Sequence, residues 1–125
     1  MLAHSRYHQT QTETASTERI LVLLLQKARR VMALADEELT AKRPRDAAPH
    51  LQRAFEIVAE LCDSLDATKA PALADNLGAV YGFIMQRLIV AQRGDTAAQG
   101  ALRQAQRAFA PIADAFEQAV AAVAR

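Results

Sequence analysis

Residues 73–91 read LADNLGAVYGFIMQRLIVA, and this stretch decides the fold. Leu73, Leu77, Val80, Ile84, Leu88 and Ala91 recur at intervals of three and four, which at 100° per residue puts them in one narrow sector of an α-helix. A second apolar sector adjoins it. Ala74, Gly78, Tyr81, Met85 and Ile89 run down the neighbouring face, with Gly82 at its edge and Phe83 on the opposite flank of the core stripe. The apolar arc spans roughly 240°, against the roughly 100° that a surface helix of a globular protein needs.

Working outward, Gly94 ends this helix, and Asp95 and Thr96 offer a turn and a fresh cap. A following helix carries Leu102, Phe109, Ile112, Phe116, Val120 and Val123 in one band, with Pro111 inside it. That proline removes one backbone hydrogen bond and crowds the turn before it, so a bend is expected near residues 108–111. On the N-terminal side, Asp66 to Pro71 is a break. Before it, a helix opening at Pro44 continues through Leu51, Phe55, Val58, Cys62 and Leu65. Ala54, Ile57 and Leu61 lie beside that stripe, while Arg53, Glu56 and Glu60 occupy the far side.

The first helix is expected to begin at Ser16, whose hydroxyl is available to cap free N–H groups. It carries Leu21, Leu24, Ala28, Val31 and Ala35 until Lys42-Arg43-Pro44 interrupts it. Residues 1–15 are polar, without helical or strand periodicity, and read as an N-terminal arm. The expected architecture is all-α: an antiparallel four-helix bundle over residues 16–125 preceded by the arm, since helices joined by short breaks become antiparallel neighbours.

Composition agrees. The 125 residues suit one domain, and an apolar half dominated by Ala and Leu, with four Gly, four Pro and no Trp, favours helix over sheet. Fifteen basic and fourteen acidic side chains leave a formal charge of +1, which provides no concentrated positive field for nucleic acid. The single cysteine, Cys62, lies on an apolar helical stripe and reads as a small core residue. The N-terminus, with His4, Arg6 and His8, lacks the apolar run of a secretory signal, and the longest wholly apolar run, Ile20 to Leu25, is far short of a membrane span. A soluble cytoplasmic protein without membrane insertion is expected.

No constellation for catalysis or for a cofactor emerges. His4 and His8 lie four apart, but no nearby cluster completes a metal site, and His50 has no Glu three positions before it. Asp36-Glu37-Glu38 reads as a solvated helix end, and neither a phosphate loop nor a nucleophile elbow is present. The surplus apolar face of the third helix has two readings. Each helix of a bundle touches two neighbours and needs a wide face. Alternatively, Gly78 and Gly82 let another backbone approach while Met85 adapts to varied side chains, forming a client groove with Ala54, Ile57, Leu61, Ala74, Tyr81 and Ile89.

Tyr7, nine positions before Ser16 in YHQTQTETAS, followed by an amphipathic helix from Glu18, resembles the start of the FliS family of flagellin chaperones. The segment LCDSLD at residues 61–66, ten residues before Asn76-Leu77 and then Tyr81, with Arg87-Leu88 beyond, resembles the same family at its second and third helices. The resemblance covers nearly the whole chain. It departs at Thr17, where relatives commonly have Pro, at Leu24-Leu25-Gln26-Lys27, and at Lys69-Ala70-Pro71, which replaces a glycine-rich connection.

This resemblance implies a non-enzymatic export chaperone that binds the C-terminal segment of flagellin, keeps it from polymerising early and presents it to a component of the flagellar export gate. It also implies that the arm, with Tyr7 as a detachable cap, covers apolar surface when the client is absent. The alternative is another helical adaptor, or a homodimeric bundle that uses the surplus face on itself.

Overall fold

A computed structural model describes the backbone of residues 2–123 and the side chains of residues 16–123. Four helices account for almost all of it: α1 (Leu2–Thr40), α2 (Pro44–Asp63), α3 (Pro71–Gln92) and α4 (Ala98–Val123). Adjacent helices pack around the ring α1, α2, α3, α4 and back to α1, and among the described residues the backbones of diagonal helices do not approach closely. This is the expected antiparallel four-helix bundle.

The helix breaks fall where the sequence places them. After α1 the chain turns at Lys42, which takes a positive φ of 61°. The Lys42 N–H donates to Leu39 O at 3.0 Å and the Arg43 N–H to Glu38 O at 2.8 Å, the paired bonds that close a helix C-terminus through a left-handed residue. Pro44 then opens α2 at a position where its missing N–H costs nothing. Pro71 opens α3 in the same way. Gly94, at φ 69°, ends the α3 region, and the Asp95 carboxylate accepts the Ala97 N–H at 2.9 Å to begin the turn into α4.

The start of α1 differs from expectation. The helix begins at Leu2 rather than Ser16, so Ser16 lies inside it and does not cap it. Residues 2–16 contain neither Gly nor Pro, and a helix nucleated by the apolar stripe from Leu21 onward propagates through polar residues that lack a breaker. The side chains of the arm, Tyr7 included, lie outside the described residues. Pro111 leaves α4 as one assigned helix.

The core is apolar throughout: among the described residues no polar or charged residue is buried. Phe109, Met32, Leu51, Ile57, Ile84, Leu88, Leu102 and Val58 are its largest fully buried side chains. Alanines on every helix, such as Ala28, Ala47, Ala91 and Ala105, are buried as well and let the axes draw close. Polar contacts at the rim join neighbouring helices. Arg29 pairs with Asp114 at 2.6 Å between α1 and α4, Gln92 donates to Gln52 at 3.1 Å between α3 and α2, and Arg87 donates to Gln104 at 3.1 Å between α3 and α4. Exposed pairs of this kind add little stability each, but they agree with only one arrangement of neighbours.

Candidate functional site

The rim contacts orient α3. Its Gln92 side faces α2 and its Arg87 side faces α4. The second apolar sector therefore begins as packing surface against α2. A Cβ on Gly78 would sit 3.9 Å from Leu65 Cδ1, and Met85 is half-buried against the core, as are Phe55 and Cys62 on α2. Ala74 is half-buried too.

Four residues expected in an open groove are buried within the bundle. Ala54 and Ile57 are 0% exposed, Leu61 4% and Tyr81 5%. Each points inward from a helix that touches two neighbours, so the wide apolar arc is spent largely on packing. Gly82 and Ile89 alone of the nine stay fully on the surface.

The expected core stripe is also corrected at one end. Leu73 is 58% exposed, and Leu77 and Val80 are only half-buried, whereas Ile84, Leu88 and Ala91 are buried as expected. The first turns of α3 lack a full cover, and a wide apolar concavity opens there. It is a groove of about 600 Å³ at the end of the bundle where the N-terminal half of α3 meets the C-terminal halves of α2 and α4. Leu21 and Leu25 of α1, Leu61 of α2, Leu65 of the connection after it, Leu73, Leu77 and Tyr81 of α3, and Pro111, Ile112, Ala115, Phe116 and Ala119 of α4 line it.

Two lining residues carry other polar side chains, and both are occupied locally. Ser64 Oγ donates to Leu61 O at 2.7 Å, and the Asp66 carboxylate accepts from the Thr68 hydroxyl and from the Thr68 N–H, the latter at 2.9 Å. Those bonds hold the Asp66 carboxyl below its usual range, so it stays ionised at the rim. Burial pushes the Tyr81 phenol above its ordinary value, with the neighbouring Cys62 a smaller contribution, so its hydroxyl stays neutral. The floor thus offers apolar surface and one neutral hydroxyl.

A small polar ligand needs several convergent polar groups to fix its orientation, and this lining does not supply them. An amphipathic helix needs an apolar trough of a few turns, which it does supply. Among the described residues no cluster of His, Cys, Asp or Glu is arranged to hold a metal ion, and no helix is long and apolar enough to cross a membrane.

Reading by periodicity missed the α1 and α4 walls of the groove because Leu21, Ile112 and Phe116 sit squarely on core stripes. Only the position of a helix along the bundle axis decides whether a stripe residue meets a partner or an opening. Pro111 was the available signal, since the α4 wall of the groove begins at that residue.

No curated protein matches the chain. A family does: the sequence matches the one described as flagellar protein FliS over residues 1–123, and the chain belongs to the FliS family.

Proposed function

We propose that this protein is a cytoplasmic export chaperone that binds the C-terminal segment of flagellin in the apolar groove at the open end of the bundle. The FliS family is one of non-enzymatic flagellin export chaperones. The observation that carries the finer reading is the groove itself, about 600 Å³ lined by leucines of three helices and by Ile112 and Phe116. A client segment disordered in solution would fold an amphipathic helix onto this surface, gaining apolar burial and losing conformational entropy, so that binding stays reversible. Covering the segment withholds it from polymerisation until the complex reaches a component of the export gate.

Residues that line the groove, rather than Ala54 and Ile57, make the contact in this reading. Capping of the same groove by Tyr7 requires α1 to turn back on itself, because a continuous helix carries residue 7 about 21 Å along the axis from Leu21. Titrating the chain with full-length flagellin, and with flagellin lacking its C-terminal segment, tests the assignment. Binding to the first and not the second is expected; equal binding to both, or to neither, would overturn it.

A further inference from the structure

The floor of the end groove holds a hydrogen-bonding group that the folded chain leaves without a partner. Of the lining side chains, Leu25, Leu61 and Tyr81 are buried and form the floor, while the exposed Asp66, Leu73 and Pro111 stand at the rim. Among the described residues every fully buried side-chain nitrogen or oxygen has a hydrogen-bond partner. The Tyr81 hydroxyl has none among them. Its oxygen is therefore not sealed into the core, and belongs to the small part of the side chain left uncovered at the groove.

An uncovered hydroxyl is satisfied by solvent, and a client that fills the groove takes that solvent away. A wholly apolar stripe laid over Tyr81 would leave a dry, unpaired phenol, which forfeits part of what the apolar contact gains. A client backbone cannot supply the missing partner. A helix with its side chains is about 10–12 Å across, so its main chain stays well above the floor, and its interior carbonyls are engaged with N–H groups four residues on. A charged side chain does not suit the position either. Leu25 and Leu61 surround it, and the one charged residue of the lining, Asp66, is at the rim with its Oδ1 already accepting from Thr68.

Resting on the reading of this groove as the client site, we propose that the Tyr81 hydroxyl is a specificity determinant for the client. It selects an amphipathic helix whose apolar stripe is interrupted by one Ser, Thr, Asn or Gln side chain, and it hydrogen-bonds that side chain at the floor. The walls, Leu65, Leu77, Ile112 and Phe116, accept any apolar residue of suitable size. They supply burial but do not fix where along the stripe the client sits. A single directional bond in an apolar trough does, because every other register leaves the phenol unpaired.

Calorimetric titration of the flagellin C-terminal segment into the full chain and into its Tyr81→Phe variant tests this. Tyr81→Phe is expected to bind the segment about tenfold more weakly than wild type, yet to melt as wild type does, since the hydroxyl has no bond within the fold to lose. Replacing each Ser, Thr, Asn and Gln of the segment in turn by alanine should reproduce that loss at one position. There, the loss from alanine and the loss from Tyr81→Phe should not add, as expected of two groups that share one bond. Equal affinity of wild type and Tyr81→Phe, additive losses at every position, or a lowered melting temperature of the variant would each overturn the proposal while leaving the client site in place. A wild type that does not bind the segment would overturn the client reading itself, and this inference with it.

Discussion

Gly94 and Lys42 both hold positive φ, at 69° and 61°, and both lie at the same end of the bundle. Only Gly94 is free of a Cβ, and a Cβ there would stand 2.9 Å from Pro44 Cβ. Gly94→Ala therefore meets backbone strain and a collision with a rigid ring together, and should lower unfolding free energy by about 1–3 kcal/mol in urea titration. Lys42→Gly should act in the opposite direction, gaining up to about 1 kcal/mol, because the left-handed conformation already costs lysine what glycine does not pay. A third residue-scale effect is electrostatic. The Arg43 guanidinium, hydrogen-bonded to Glu38 at 2.7 Å, holds that carboxyl below its usual value. A lowered folded-state pKa stabilises the fold above the unfolded value of about 4.3 and loses that stabilisation as pH falls through the folded value. Melting curves of wild type and Glu38→Gln should accordingly differ at neutral pH and converge in acid.

At the scale of elements, α3 shows what periodicity can and cannot resolve. Four helices, their breaks at Lys42-Arg43-Pro44, Asp66-Pro71 and Gly94, and the inward stripe of Ile84, Leu88 and Ala91 were legible because each follows from local chemistry: a proline, a glycine, a spacing of three or four. The division of the surplus face was not legible, since a helix touching α2 on one flank and solvent on the next presents the same run of apolar residues in either case. Met85 and Ile89, adjacent in that sector, separate the two outcomes. Met85→Asp places a carboxylate in the half-buried α2–α3 seam and should destabilise by about 2 kcal/mol or more. Ile89→Asp alters an exposed side chain and should leave thermal unfolding within about 0.5 kcal/mol of wild type. Equal effects of the two substitutions on melting would place both residues in one environment and contradict this division.

For the whole molecule, an apolar ring of helices open at one end links stability to client capture if the groove holds the client as proposed. The core excludes polar groups entirely among the described residues, yet Leu73, Leu77 and Phe116 leave part of their surface uncovered around the groove. A segment that fills the groove binds only the folded state, so it must raise folding stability by mass action, by about 2.7 kcal/mol at a hundredfold excess over Kd. For a bundle of this size that corresponds to an upward shift in Tm on the order of 10 °C. Leu73→Asp discriminates between groove filling and nonspecific stabilisation, because Leu73 is 58% exposed and contributes little to the free fold. The variant should melt close to wild type alone, yet lose most of the shift produced by the flagellin C-terminal segment. An undiminished shift in the variant would move the client off this groove, and a variant already unstable without client would show that Leu73 is covered in the free chain.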